Sequence, residues 1–308
     1  MSSSIIHRPV LGVVLMVAGI SILASMDVLI KIISQSYSIP QVIFFRSLLS
    51  LPVLLLCLRF EGGWKALKTE RPFLHVSRGF VMALTTACFV FSFQQLPLSD
   101  VYSIIFSSPL IVTLLAIPLL GERVGMHRMA AVAVGFIGVI IAMQPGFAQN
   151  NPATYVALFG AFSYAMVQIF IRQMSETEST AAITIYGTIM IMTCAGAVLP
   201  WFWTTPTLAD FAILAVIGAM GGAGQYCLTS AFRYADASLL SPYNYLSLIW
   251  GAFYGFAVFG DIPGLATIIG SVIIVASGLY IIHREAGRSK LNPEVAPGSD
   301  QPPQRPLG

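Results

Sequence analysis

Residues 74–94 read LHVSRGFVMALTTACFVFSFQ, and residues 213–233 read ILAVIGAMGGAGQYCLTSAFR. The two stretches lie 139 positions apart and match without a gap: Gly79 meets Gly218, Cys88 meets Cys227 and Phe93 meets Phe232. Extended downstream, the same register sets Ser99 on Ser238, Ser108 on Ser247, Gly121 on Gly260 and Glu122 on Asp261. A register of 141 lays the first apolar segment on the sixth: Gly19 on Gly160, Ala24 on Ala165, Ile30 on Ile171, Lys31 on Arg172 and Ser34 on Ser175. The chain therefore reads as two copies of one unit, 1–145 and 146–283, followed by a Pro- and Gly-rich stretch, 284–308, expected to be a disordered cytoplasmic tail.

Composition says what kind of unit this is. Of 308 residues, 56% are hydrophobic and 9% charged, against about 25% charged in a soluble domain. So few charges cannot cover a water-facing surface, so much of it must face lipid. Ten apolar segments of spanning length follow one another: 10–33, 40–58, 74–94, 98–120, 127–145, 152–172, 180–200, 210–231, 237–259 and 264–283. They are too long and too evenly apolar for membrane strands, which run to about 9–11 residues and alternate. Helices bond their own backbone, as lipid requires. The first segment outruns a signal-peptide core of about 7–15 residues and contains Asp27 and Lys31.

With ten spans both termini share a side, and the basic residues collect there: Arg8, then Arg59, Lys65, Lys68 and Arg71, then Arg123 and Arg128, then Arg172, Arg233, Arg284, Arg288 and Lys290. The opposite joints, near 34–39, 95–99, 146–151, 201–209 and 260–263, hold no Lys or Arg. Positive charge marks the cytoplasmic side, so the expectation is a multi-pass protein of a cell inner membrane with both termini cytoplasmic, and Trp201 and Trp203 at the outer interface. Each copy has an odd number of spans, so the second inserts upside down relative to the first. Such inverted repeats are a frequent plan of secondary transporters.

Further stretches resemble a known family. Leu119-Leu120-Gly121-Glu122-Arg123, Gly135-Phe136-Ile137-Gly138-Val139, and Gly260-Asp261 with Gly270 and Gly278 resemble the EamA-type branch of the drug/metabolite transporter superfamily. Asp27-Val28-x-x-Lys31, Phe44-Phe45-Arg46, Thr69-Glu70-Arg71-Pro72-Phe73-x-His75-x-x-Arg78-Gly79 and Asp236-Ala237-x-x-x-x-Pro242-Tyr243-x-Tyr245-Leu246 are similar to its subgroup of S-adenosylmethionine and riboflavin transporters. The resemblance implies ten helices in two inverted five-helix repeats and a secondary carrier of a small organic metabolite, a vitamin or nucleoside-like solute. The same neighbourhood includes exporters, so export of an amino-acid derivative stays open beside uptake.

Ionisable groups in hydrocarbon cost about 2.5–3.5 kcal/mol each on insertion scales, which singles out three. Asp27 and Lys31 stand at i, i+4 and share a helix face, and Arg46 lies inside the second span. Asp27 is a candidate site for a proton or a substrate cation, with Lys31 or Arg46 setting its charge; a self-neutralising ion pair is the alternative. Gln168 occupies the position equivalent to Asp27. Tyr243, Ser247 and Trp250, with Asn244 beside them, form a polar face on which a planar ligand could stack or hydrogen-bond, or which could simply pack another helix. Gln225 and Tyr226 follow a Gly221-Gly222-x-Gly224 run and are expected to face the cavity, opposite a stripe of Ser103, Phe106 and Ser107. Hydroxyls of such a stripe can also bond their own helix. Arg78 is expected to snorkel to the interface or to bind an anion.

Cys57, Cys88, Cys194 and Cys227 sit inside apolar runs as packing residues, and His7, His75, His127 and His283 lie too far apart for a metal. No metal, cofactor or nucleic acid is implied, and no catalytic motif appears. The expected partners are a small-molecule substrate and the lipid bilayer, with the protein a monomer or homodimer. A membrane-embedded lipid-modifying enzyme and a structural or sensory protein are the competing classes. The former calls for clustered His or carboxylates, the latter for no inverted repeat. The charge distribution predicts that a periplasm-sensitive reporter fused after Lys290 stays silent and one placed near Asn150 becomes active; the reverse pattern rejects the orientation.

Overall fold

The computed structural model describes residues 9–59, 63–121, 125–143, 151–174, 177–235 and 237–291. Among these the regular structure is all helical. The first half holds α1 (Pro9–Ile33), α2 (Ile39–Leu58), α3 (Pro72–Gln95), α4 (Leu98–Ile105), α5 (Ser108–Leu120) and α6 (Met126–Met143). The second holds α7 (Pro152–Met174), α8 (Thr180–Val198), α9 (Leu208–Tyr234), α10 (Ala237–Leu240), α11 (Leu246–Phe259) and α12 (Leu265–Leu291). Pro72 and Pro152 open α3 and α7, where a missing N–H costs nothing. Ser179 and Thr207 cap α8 and α9 by accepting the amides of Ala182 and Asp210 at 3.0 and 3.1 Å.

Among the described residues, eight helical segments, counting α4–α5 as one, are long and apolar enough to cross a membrane. Two of the expected spans differ from plain rods. The segment expected over 98–120 breaks at Phe106–Ser107. Pro109 cannot donate to Ile105, and its ring crowds that carbonyl, so the helix restarts at Ser108. The segment expected over 237–259 is interrupted by a 3-10 turn at Ser241–Tyr245 that contains Pro242, leaving α11 with 14 residues. The tenth has its apolar run over Leu265–Ile281. Its helix continues to Leu291, so residues 284–291 extend α12 instead of starting a disordered tail; residues 292–308 lie outside the described residues.

The two halves match in structure as they do in sequence. Gly121 and Gly260, equivalent in the 139 register, end α5 and α11 in the left-handed conformation at φ 68° and 71°, where a side chain would be strained. The two breaks, at Phe106 and Tyr245, are also equivalent, and these rings touch at 4.9 Å between centroids. Helix packing is symmetric under exchange of the halves. α1 packs on α9 as α7 packs on α3; α2 packs on α9 as α8 packs on α3; α11 packs on α1 as α5 packs on α7. The pairs α2–α8 and α6–α12 join equivalents. At the α6–α12 crossing a Cβ on Gly270 would stand 2.5 Å from the carbonyl oxygen of Gly138, so only glycine allows that approach.

Hydrogen bonds tie the helix ends into two networks. At one end Gln94 donates to the Ser34 carbonyl and Gln35 to that of Gln94. Ser38 and Gln41 reach the carbonyls of Phe202 and Thr204, and Tyr37 donates to Asp210 at 2.7 Å. At the other end Glu178 accepts from the Thr69 hydroxyl and the Glu70 amide, both at 3.0 Å, and faces His75 at 3.2 Å. Arg71 donates to the Gln173 carbonyl and Tyr186 to that of Leu67. Arg78 does not snorkel. It is buried and donates to the Ile183 carbonyl at 2.7 Å beside Gly187, whose missing side chain makes the room.

Burial by itself raises the pKa of Glu178, but the hydrogen bonds from His75, the Glu70 amide and the Thr69 hydroxyl outweigh it and hold the carboxyl below its usual value. A depressed carboxyl stabilises the fold above its unfolded pKa of about 4.3, and that contribution is lost as pH falls through the folded value. Thermal unfolding of the purified protein, followed from pH 7 downward, should show stability falling below about pH 4.3, and Glu178→Gln should flatten that fall.

Candidate functional site

A cavity of about 680 Å³ lies between α1, α4, α5, α7 and the break before α11. It runs from Asp27 and Tyr102 to Arg128, in the first turn of α6, and Arg172, in the last turn of α7. Those two arginines stand at the same end as the Glu178 network. None of the described residues in the network of the opposite end lines the cavity.

The repeat explains the shape of the lining. Leu23 and Tyr164, Asp27 and Gln168, Ile105 and Asn244, Phe106 and Tyr245, and Ser108 and Ser247 all line it, and each pair is related by the 141 or 139 register. The site thus straddles the relation between the halves, and the helix breaks deliver two of its aromatic rings. Tyr245 fits because Gly278 has no side chain to meet its hydroxyl.

Asp27 is half-buried, and its carboxylate accepts from the Tyr102 hydroxyl at 2.6 Å. Arg46 acts on it electrostatically from α2, standing beside Gly221 and off the cavity lining. Lys31 does not pair with Asp27. Its ammonium points the other way, donates to the Leu96 carbonyl at 2.6 Å, lies 3.7 Å from Asp261 and sits over the Phe259 ring at 4.7 Å. The long lysine side chain favours the helix end, where a carbonyl and a second carboxylate await it. The self-neutralising ion pair within α1 is therefore absent, and Asp27 is left facing the cavity.

Other expected site residues fall elsewhere. Ser103 and Ser107 are buried; Ser103 bonds the Ser99 carbonyl and Ser271, and Ser107 the Ile104 carbonyl. The hydroxyl stripe serves the helix break and the α4–α12 contact. Gln225 and Tyr226 line a separate recess with Leu54, Cys57 and Thr184, because the glycines of α9 turn toward α1 and α2 and carry this pair to the outer side. Tyr243 packs into an apolar cluster with Met16 and Leu240. Trp250 bonds Ser21 at 3.0 Å and stacks on Tyr254, while Tyr254 meets the Ser25 hydroxyl at 2.6 Å. That face of α11 clamps α1. Only Asn244 and Ser247 of the expected face line the cavity, and Ser247 also bonds the Asn244 carbonyl. Tyr102, Tyr164, Arg128 and Arg172 were not expected there. The 141 register carried past Asp27 and Gln168 leads to Tyr164; Arg128 and Arg172 looked like ordinary cytoplasmic flanks.

The chain matches the EamA-like transporter family twice, over residues 10–144 and 151–283. It belongs to that family. The protein is thus a multi-pass membrane transporter of a small metabolite and not an enzyme, which removes the lipid-modifying alternative. It is 31% identical over 259 residues to an S-adenosylmethionine uptake transporter of Rickettsia bellii, covering 84% of this chain and 89% of that one. It is 28% identical to a riboflavin transporter of Brucella anthropi, covering 89% and 99%, and 28% identical to a pseudopaline exporter of Pseudomonas aeruginosa, covering 90% and 97%. A solved chain of 14% identity has the same fold, at a TM-score of 0.61 over 90% of this chain and 98% of that one. Since Gln168 lines the cavity and Gln225 does not, Gln168→Ala should raise the KM for transport by roughly three- to tenfold, the worth of one hydrogen bond. Gln225→Ala should leave it unchanged in the same flux assay.

Proposed function

We propose that this transporter is a secondary carrier for a nucleoside-like amino-acid derivative that bears both charges, of the S-adenosylmethionine type, working by alternating access in the cell inner membrane. The observation that carries this reading is the charge layout of the cavity: one carboxylate, Asp27, at one end, the guanidinium-bearing Arg128 and Arg172 at the other, and Tyr102, Tyr164 and Tyr245 along it. A sulfonium or ammonium suits Asp27, a carboxylate suits the arginines, and a purine ring suits the tyrosines. Gln168 and Asn244 add hydrogen bonds. Riboflavin, which is uncharged, would bring no cation to the cavity face of Asp27. The relatives named for S-adenosylmethionine uptake favour the same solute.

Ten spans in two inverted five-helix repeats, 1–145 and 146–283, are the architecture of this proposal. It is supported by the contact of the equivalent Phe106 and Tyr245 rings and by the symmetric helix packing. The basic residues put both termini in the cytoplasm. The cavity then faces inward, and the network around Tyr37, Gln41 and Gln94 closes the outer end. Asp27 is the candidate coupling group as well as the cation site, because neither Lys31 nor any other ammonium neutralises it within α1.

Counterflow of labelled S-adenosylmethionine in proteoliposomes tests this, with riboflavin as the competitor. Saturable flux unaffected by riboflavin is expected, and Asp27→Asn should raise its KM roughly ten- to hundredfold, as for a lost charged hydrogen bond. An imposed pH difference should alter wild-type flux and leave that of the Asn variant unchanged. Flux of riboflavin without flux of S-adenosylmethionine overturns the solute assignment.

A further inference from the structure

α4 is a short helix with anchors on two sides. Toward α12, Asp100 accepts from Thr267 at 2.9 Å and Ser103 meets Ser271 at 2.6 Å. Toward α1, the Leu96 carbonyl just before it accepts from Lys31 at 2.6 Å, and Tyr102 donates to Asp27 at 2.6 Å. α4 thereby bridges α1 and α12 across the end of the cavity where Lys31 and Asp261 meet. Of these bonds, only Tyr102–Asp27 has both partners in the cavity lining. The Tyr102 ring is buried against Gly251, where any side chain would collide with it, and lies 6.0 Å from Phe93.

We propose that Tyr102 is a positioning residue that holds Asp27 toward α4 in the empty carrier, and that a cationic solute drawing the carboxylate into the cavity releases α4 and opens that end. The proposal rests on the cation-binding reading of Asp27. A ligand shifts a conformational equilibrium only by its differential affinity for the two states, and this bond supplies the difference: in the closed state the solute shares Asp27 with Tyr102, in the open state it does not. Tyr102→Phe keeps the ring that packs beside Gly251, so that substitution isolates the hydroxyl.

The test uses a reporter on α4 itself. Ser99 is buried, 5% exposed, and does not line the cavity described above. Ser99→Cys is placed in a background with Cys57, Cys88, Cys194 and Cys227 replaced by Ser or Ala, and the full chain in nanodiscs is treated with a water-soluble maleimide. Tyr102→Phe, without any solute, should label roughly ten- to hundredfold faster than the parent, the range for losing a hydrogen bond to a charged group. Asp27→Asn, which keeps the shape and weakens the bond, should label at an intermediate rate. The double variant should be no faster than Tyr102→Phe alone, because both changes break one interaction. Saturating S-adenosylmethionine should accelerate labelling of the parent and leave Tyr102→Phe unchanged. Labelling of Tyr102→Phe at the parental rate overturns the positioning role. Solute that binds the parent, by calorimetry, without accelerating labelling overturns the release. If the parent binds no S-adenosylmethionine, the solute assignment above fails, while the solute-free arm still decides whether the Tyr102 hydroxyl keeps α4 closed.

Discussion

A backbone amide or carbonyl that leaves its helix inside hydrocarbon must find a partner in the protein, because lipid offers none. The rest of this structure follows from where the chain departs from helical regularity and how it satisfies that demand. At the first break Phe106 still donates its amide to Tyr102, Ser107 donates to Ile104 at 2.9 Å, and the Ser107 hydroxyl reaches the same carbonyl at 2.7 Å. At the second a 3-10 turn carries the chain from α10 to α11. Both breaks keep their hydrogen bonds local while redirecting the chain, and both are set against the cavity instead of lipid. The price in regularity is what brings Phe106, Asn244, Tyr245 and Ser247 to one place.

The same economy governs charge. Most basic side chains stand at helix ends. The charged groups set inside the helices have protein partners: Arg78 a carbonyl, Lys31 a carbonyl, a carboxylate and an aromatic face, Asp27 a tyrosine hydroxyl and, electrostatically, Arg46. Of these, Asp27 alone also borders the cavity. Among the described residues it accepts one hydrogen bond, from Tyr102, which leaves acceptor capacity for a ligand, whereas Lys31 is already surrounded. That difference, more than the residue types, separates a binding group from a structural one.

Helix positions and the repeat were legible in the sequence because apolar length and register are properties of the chain itself. The ends of α5 and α11 were marked by Gly121 and Gly260, and the equivalence of Asp27 and Gln168 survived into the cavity. The breaks were missed although Pro109 and Pro242 mark them, since the averaged apolar character of 98–120 and 237–259 hid a local backbone effect. The ion pair of Asp27 with Lys31, the alternative reading, does not form because i, i+4 spacing fixes a shared face but not the direction of a four-carbon side chain. Gln225, Tyr226 and Trp250 were misplaced because polarity alone does not say which neighbour a helix face meets. That depends on close contacts such as Gly19 against Gly224, which arise only on assembly.

The meeting of Phe106 with Tyr245 has a consequence for how such a protein arises. Contact between equivalent residues is what an isologous pair of identical subunits makes, so in a dimer of one unfused five-helix chain that position would touch its own copy. Any change there would appear on both sides at once, and a carboxylate acquired at one lining position would face its double across the cavity, two like charges in a poor dielectric. Joining the copies in one chain removes this restriction. Asp27 is matched by a neutral Gln168 and Phe106 by a hydroxylated Tyr245, so the cavity holds a carboxylate without its double, which no symmetric ancestor could do.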